Sequence, residues 1–155
     1  MLRATENTCR LSCLALLLSG LSGCGDPPTA PEAALRAWVA EGQRLVEAQD
    51  RRGLMNMVAD SYADARGNDR DGIEKLFALY FLRAHGISLL TSIEDIRVFD
   101  ATAAEIDLQV AMAATHDGVL GFSADAYNFQ LELVRDGDDW LLISGRWGEV
   151  GEETR

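Results

Sequence analysis

The chain has 155 residues, of which 48% are apolar, so it can bury the core of one compact domain and is short for two. It carries 25 acidic and 14 basic residues, a net charge of −11. This balance argues against nucleic-acid binding, which needs Lys and Arg to neutralise phosphates, and against adsorption to anionic lipid by charge alone.

Residues 1–23 have the character of a secretory signal peptide. Arg3 and Arg10 give a basic start, and residues 11–21 form an apolar run well short of the roughly 20 residues that a membrane-spanning helix needs. The run ends in Leu21-Ser22-Gly23-Cys24, which resembles the lipobox of bacterial lipoproteins, whose cysteine carries the lipid. The alternative is an ordinary cleaved signal in which small residues precede Cys24 by chance.

The lipobox resemblance implies a diacylglyceryl thioether on Cys24 and a lipid anchor in the bacterial cell envelope. In enterobacterial sorting, an Asp directly after the cysteine retains a lipoprotein in the inner membrane. Gly25 occupies that position here, so the resemblance favours the periplasmic face of the outer membrane as the location of the protein. Residues 24–30 are the expected tether, and their two prolines and short reach predict a domain held close to the bilayer.

The cysteines are confined to the start of the chain, at Cys9, Cys13 and Cys24. Removal of residues 1–23 would leave 12 basic and 24 acidic residues, because Arg3, Arg10 and Glu6 leave with them. The remaining domain would have no free thiol, disulfide or thiolate metal ligand. We therefore predict no cofactor, no metal and no nucleic-acid partner.

Three helices are expected first. Thr29 and Glu32 have the spacing of a capping box that starts a helix running to about Arg52, which Gly53 would end. A short second helix is expected at 54–59, followed by an irregular segment that could hold a short strand at Tyr62. The third helix would start after Asn68 or Asp69 and end at Gly86. Phe81 would lie alongside its buried stripe, which consists of Ile73, Leu76, Phe77, Tyr80 and Ala84.

Strand signals follow. A bulge is expected near Asp95, a hairpin turn at 136–139, and an acidic frayed tail at 149–155. Three helices followed by an antiparallel meander predict an α+β domain with the helices on one sheet face. Stretches with strand character lie at 87–99, 105–115, 122–135 and 140–147.

With these elements in order, residues 31–147 resemble the NTF2-like (SnoaL-like, cystatin-like) superfamily. The resemblance is carried by the closing hairpin from Phe129 to Trp147 and by the turns Asp60-Ser61-Tyr62-Ala63-Asp64 and Gly67-Asn68-Asp69-Arg70. It implies a domain at 31–148 in which three N-terminal helices pack on one face of a curved, mostly antiparallel sheet, forming a cone with an open pocket. Members include isomerases, polyketide cyclases, dehydratases and non-enzymatic binding proteins, so the fold alone does not give the function.

Several side chains could serve a pocket in such a cone. Asp125 shares strand parity with Tyr127 and could be a desolvated general base, or it could lie at an uncovered strand end. Asp64 is the other candidate base. Ligand-contacting or hydroxyl-donating candidates, which could equally be core or rim residues, are Tyr62, Tyr80, His85, Tyr127 and Trp147.

The remaining polar clusters favour structural roles. Four aspartates around Gly67 and Gly72 do not fit a calcium loop, because the terminal glutamate is missing, and helix capping explains them. Arg146 is expected beside Gln130 and Glu132 as a cross-strand ion pair. The aspartates are Asp60, Asp64, Asp69 and Asp71.

Three functions remain open from the sequence. The first is a non-catalytic envelope lipoprotein that binds a small apolar ligand or a protein partner. The second is an isomerase, cyclase or dehydratase that uses Asp125 or Asp64 with a tyrosine. The third is a homodimer paired through the outer sheet face, with Ala111, Ala113, Val134 and Leu142.

Overall fold

The computed structural model describes residues 29–84, 86–115 and 122–151. The expected signal peptide, Cys24, most of the tether, His85, His116 and the end of the tail lie outside these residues. No described helix is long and apolar enough to cross a membrane.

Helix α1 spans Ala30–Glu47, and its start is the expected capping box. The Thr29 hydroxyl accepts from the Glu32 backbone N–H, and the Glu32 carboxylate accepts from the Thr29 N–H. This exchange satisfies two amide donors that have no partner within the helix. The buried side of α1 presents Leu35, Val39 and Leu45 to the rest of the domain.

The first helix ends earlier than predicted. Gln49 adopts φ 54°, which breaks the helix, and Asp50 caps a separate helix α2 at Arg51–Asn56 by accepting from the Gly53 N–H. Gly53 therefore lies inside α2, where it is needed for a close helix approach rather than for a helix end. After α2, single bridges join Val58 to Leu142 and Ala63 to Asp69, and Tyr62 itself forms no bridge in the described structure.

Helix α3 spans Arg70–Arg83, with Asp69 as its N-cap. Its predicted apolar stripe faces the interior of the domain, as expected. However, no residue within the helix is buried, and Leu76 is 43% exposed. Ala84, just past the helix end, is buried. The stripe is only half covered because it faces an open cavity instead of a filled core.

Four antiparallel strands form one sheet in chain order, the predicted meander: β1 at Gly86–Val98, β2 at Ala103–Thr115, β3 at Phe122–Asp136 and β4 at Asp139–Glu149. The register slips between Ile93 and Asp95 in β1, at the predicted bulge, and again opposite Glu132 and Leu133. Such bulges bend long strands and let a sheet wrap around helices.

The inner sheet face carries the main core. Its buried members come from α1 and three strands, and Leu35, Ile106 and Leu133 are almost completely enclosed. Two smaller clusters lie beside it, one around Met55, Val58 and Tyr62 and one around Ala84, Ile87 and Ala114. The cavity lies among these clusters, so the fold positions a hollow where a larger core could have been.

The outer face is more polar than the dimer hypothesis assumed. Arg97 pairs with Asp95 (2.5 Å), Asp107 (2.9 Å) and Glu105, and Gln130 donates to Glu105. The predicted pairing of Arg146 with Glu132 is present at 3.6 Å.

Leu142 does not belong to the outer face. It pairs with Leu133 and lines the cavity, because the hairpin turn has two residues, Gly137 and Asp138, and the extra residue is a bulge near Ile143. A three-residue loop would have placed Leu142 outside. Pairing of two domains through this face stays a prediction, but it would have to cover charges that are already paired within one chain.

Candidate ligand-binding site

A cavity of about 460 Å³ lies between the helices and the inner sheet face. All three helices and all four strands contribute to its wall. Its volume falls within the range of pockets that hold small organic molecules. Eight aromatic residues line it: Trp38, Tyr62, Phe77, Tyr80, Phe81, Tyr127, Phe129 and Trp147.

Simple periodicity places these side chains. On α1, Trp38, Gly42 and Val46 recur every fourth residue and face the cavity. On β2 every second residue from Leu108 to Met112 does so. Strand partners share a face, so the inward residues of β3 and β4 join them across the sheet.

Four of the five predicted pocket residues line this cavity: Tyr62, Tyr80, Tyr127 and Trp147. The fifth, His85, lies outside the described residues. The Phe129 ring contacts two of the other rings, that of Tyr127 two residues along β3 (centroids 6.3 Å apart) and that of Trp147 across the strand pair (6.4 Å, planes at 22°). The structure thus gathers these residues at one place, and their contact with a ligand stays a prediction.

Tyr62 is 3% exposed, and its hydroxyl donates to Asp64 at 3.2 Å. Burial, with the nearby Asp64 charge and hydrogen bond, raises the pKa of the Tyr62 hydroxyl far above its ordinary value. The phenol is therefore neutral at any physiological pH. It can accept a hydrogen bond but cannot act as a base.

Asp64 is bound in its own turn. Oδ1 accepts from the backbone N–H of Arg66 (2.9 Å) and Asn68 (2.8 Å), and Oδ2 accepts from Asn68 Nδ2 (2.8 Å) as well as Tyr62. Burial opposes its charge, but the hydrogen bonds from Asn68, Tyr62 and Arg66 outweigh that and hold the pKa of this carboxyl below its ordinary value. A carboxylate so satisfied is a weak base.

Asp125 points to the inner side of the sheet but is exposed. It pairs in register with Met112, a cavity residue, and lies two residues before Tyr127 on the same strand face. It therefore lies at the rim of the cavity, where solvent reaches the inner face. This position lacks the desolvation that the general-base hypothesis requires.

Tyr80 and Tyr127 stand close to this rim. The Tyr80 hydroxyl donates to Met112 Sδ at 3.1 Å, a weak acceptor that a ligand oxygen could replace. Burial, and then the Asp125 charge, raise the pKa of both phenols, and Glu149 adds to the effect on Tyr127. Both hydroxyls are neutral donors near neutral pH.

Gln43 was missed by the sequence reading. Its Nε2 donates to the Leu89 carbonyl (3.1 Å), and its Oε1 accepts from the Thr91 hydroxyl (2.7 Å). Both Gln43 and Thr91 line the cavity. The signal was available, because Gln43 follows Val39 by four residues and is a polar residue on the apolar stripe of α1.

Arg66 was also missed. Its guanidinium lies 4.5 Å from the centre of the Trp147 ring, and it donates to the Trp147 carbonyl at 2.7 Å. No local pattern could have revealed this contact, which joins residues 81 positions apart. It holds one wall of the cavity and shows that this ring accepts a cation.

The aspartate cluster has structural roles. Asp69 caps α3 by accepting from the Gly72 N–H (2.8 Å), and Asp60 lies 3.4 Å from Arg70. No group of metal-ligating side chains is found within 29–84, 86–115 and 122–151. Capping, turn formation and an ion pair thus explain three of the four aspartates, and Asp71 lies in the first turn of α3, where a negative charge suits the helix N-terminus.

One wall residue has an unmet hydrogen bond. The indole N–H of Trp38 is buried and has no partner in the described part of the chain. Such a donor costs about 1–3 kcal/mol, because it gives up water without replacement. The cavity wall is therefore less stable here than its aromatic content suggests.

No protein-family model matches the sequence, and no curated protein matches it. Solved structures do resemble it. A candidate scytalone dehydratase from Novosphingobium aromaticivorans has a TM-score of 0.70 at 13% identity, over 79% of this chain and 85% of its own.

Two more structures agree. A ketosteroid isomerase-like protein from Erwinia carotovora atroseptica gives 0.65 at 11% identity, over 79% and 98% of the two chains. A candidate dehydratase of the NTF2-like family from Streptomyces avermitilis gives 0.68 at 10% identity, also over 79% and 98%. At such identities the likeness shows the fold alone. The described domain therefore has the NTF2-like fold, an α+β cone of helices against a curved antiparallel sheet.

Proposed function

We propose that this chain is a lipid-anchored protein of the bacterial cell envelope whose cone binds a small apolar ligand without transforming it. One observation carries the proposal. The cavity is lined by aromatic and aliphatic side chains, and none of its described lining residues bears a carboxylate, an imidazole, a thiol or an amine.

Such a wall favours ligand burial over chemistry. Each Å² of apolar surface removed from water contributes roughly 25 cal/mol, so a ligand that fills the cavity gains affinity from desolvation. Gln43, Thr91 and the Tyr80 hydroxyl would orient it, since a few fixed polar groups in an apolar pocket supply specificity. Neutral phenols cannot remove a proton at neutral pH.

The enzymatic alternative rests on Asp125 beside Tyr127, and on fold neighbours described as dehydratases or isomerase-like. Two observations weigh against it. Asp125 is exposed at the rim, and Asp64 is engaged by four hydrogen bonds. Turnover of a cavity ligand that Asp125→Asn abolished without weakening binding would favour the enzyme.

A protein partner is the second form of the binding proposal. Leu79 and Leu82 on α3 are 46% and 79% exposed, which is unusual for leucines one helical turn apart. The cavity, with a wall built from all three helices and all four strands, offers more surface to a small molecule than these two side chains offer to a protein. The small ligand is therefore the preferred occupant.

Anchoring is proposed through a lipid on Cys24. A domain with so many acidic residues gains nothing from the charge of an anionic bilayer, so acyl chains would have to hold it there. The position of Gly25 after the cysteine supports the outer membrane within this proposal. The anchor would keep the cavity near a source of apolar molecules.

The binding proposal is tested by titrating 1-decanol into the full-length protein in zwitterionic nanodiscs. Trp38 and Trp147 line the cavity, so tryptophan fluorescence reports on its occupancy. Gly42→Phe should fill the cavity, since an added Cβ there meets only Met57 Cε, at 3.7 Å. The matched control is Gly42→Ala.

Saturable binding by the wild type and Gly42→Ala, lost in Gly42→Phe, is expected. If Gly42→Phe fails to fold by circular dichroism, Val110→Trp fills the cavity from the sheet side. Equal binding by a folded, cavity-filled variant would show that decanol binds elsewhere, and the proposal would be wrong.

A further inference from the structure

The rim of the cavity carries two carboxylates on the inner face. Asp125 precedes Tyr127 by two residues on β3, and Glu149 pairs directly with Tyr127 from β4. Alternation along one strand and pairing across two strands both place side chains on a common face. The two acids therefore flank the Tyr127 ring, and both are exposed.

Aromatic faces continue inward from these acids. The Phe129 ring contacts those of Tyr127 and Trp147 on the sheet, and Tyr80 approaches from α3 against Met112. Aromatic faces attract cations through the ring quadrupole, most strongly where water is excluded. Arg66 over Trp147 is an example already present in this wall.

The two charges that flank Tyr127 are both negative. None of the described lining residues is positively charged, and Arg66, which lies over Trp147, already donates to the Trp147 carbonyl, so an anionic head group beside Tyr127 would meet the two rim carboxylates. A positive head group would meet carboxylates on one side and ring faces on the other. The apolar body would still fill the cavity.

From this arrangement we propose that the ligand is an apolar amine or quaternary ammonium compound, with its cationic head at the rim between Asp125, Glu149 and the Tyr127 ring. This inference rests on the proposed function, because it names the ligand class of the same cavity. It assigns Asp125 a role in recognition instead of proton transfer.

The test compares three probes with the same chain: decylammonium, 1-decanol and decanoate. They are titrated into wild-type protein and into Asp125→Asn/Glu149→Gln, each in zwitterionic nanodiscs at pH 7. The matched control is Asp136→Asn/Asp138→Asn, which removes the same charge at the opposite end of β3. Because partitioning into the lipid is common to all variants, differences between variants report on the protein.

Wild-type protein should bind decylammonium most tightly and decanoate least. The rim variant should weaken decylammonium binding about five-fold, the sum of two exposed ion pairs, and leave decanol within two-fold. The control variant should match the wild type for all three probes.

The outcomes separate the two proposals. If decanol binds in the cavity but the rim variant leaves decylammonium binding unchanged, or if decanoate binds as well as decylammonium, the ligand class is wrong and apolar binding stands. If no probe binds in a manner that Gly42→Phe blocks, both proposals are wrong.

Discussion

Gly53 of α2 lies so close to Leu45 of α1 that a Cβ on Gly53 would stand 2.4 Å from Leu45 Cδ2. The same Cβ would come within 2.8 Å of Asp50 Oδ2, the carboxylate that caps α2. Leu45 is 2% exposed and cannot move aside freely. The close approach of α2 to α1 therefore depends on the absence of a side chain at position 53.

We predict opposite effects for the same change at two glycines. Gly53→Ala should lower the free energy of unfolding by about 1–3 kcal/mol through overpacking. Gly42→Ala should raise it by about 0.5–1 kcal/mol, because it sits in the interior of α1 where a Cβ makes only ordinary contact. Urea unfolding of the full-length variants measures both. If Gly53→Ala is as stable as Gly42→Ala, the inference that α2 needs a glycine at its contact with Leu45 is wrong.

Asp64 should give the fold a pH-dependent stability. Its folded-state pKa is lowered, so its contribution is present above the ordinary Asp value of about 3.9 and is lost as the pH falls through the lower folded value. Asp64→Asn should cost about 1–2 kcal/mol at pH 7, because an amide cannot accept from all four donors. The difference in free energy of unfolding between Asp64→Asn and the wild type should become smaller below about pH 4.

Urea unfolding at pH 7 and pH 3 tests this. Asp138→Asn, an exposed carboxylate in the hairpin turn, serves as the control and should show no such narrowing. A cost of Asp64→Asn that is equal at both pH values would mean that the charge of Asp64 does not matter.

Trp38→Phe should lower the stability of the fold only slightly, although Trp38 is a large residue of the cavity wall. The lost contact area is offset by removal of an unsatisfied buried donor, so a change within about 1 kcal/mol is expected. Trp140→Phe removes the same atoms from a core residue that is 6% exposed, and it should cost more. Thermal unfolding measures the loss of stability in each variant. Equal losses for Trp38→Phe and Trp140→Phe would contradict the inference that the Trp38 N–H lacks a hydrogen bond.

Cys24→Ser should release the protein from the membrane fraction. The physical reason is that two or more acyl chains hold a protein stably, whereas this acidic domain gains nothing from lipid charge. Fractionation and immunoblotting of the host measure it, with Cys13→Ser as the matched leader control. Membrane retention of Cys24→Ser equal to that of the control would show that the anchor lies elsewhere.

The strand alternation was sufficient to predict most of the sheet. Residues 106, 108, 110 and 112 alternate without interruption, so β2 could be assigned a face from sequence. The face of Leu142 could not be assigned in the same way. A three-residue hairpin loop and a two-residue loop followed by a bulge both pair Trp147 with Phe129, but they place Leu142 on opposite faces of the sheet.

The break between α1 and α2 also escaped prediction. Gly53 is a usual helix terminator, whereas the actual break depends on Gln49 at positive φ, which few residues other than Gly adopt. At the site, parity and helical spacing found the tyrosines and Trp147. The four hydrogen bonds of Asp64 and the exposure of Asp125 depend on the folded conformation, so sequence alone left both as candidate bases.

The central claim is that the cone holds a small apolar molecule. Native mass spectrometry of the protein purified from the membranes of its own host tests it most directly, with wild type, Gly42→Ala and Gly42→Phe compared. We predict one discrete small-molecule mass on the wild type and Gly42→Ala, and none on Gly42→Phe. An empty wild-type protein, or the same mass on Gly42→Phe, would contradict the account.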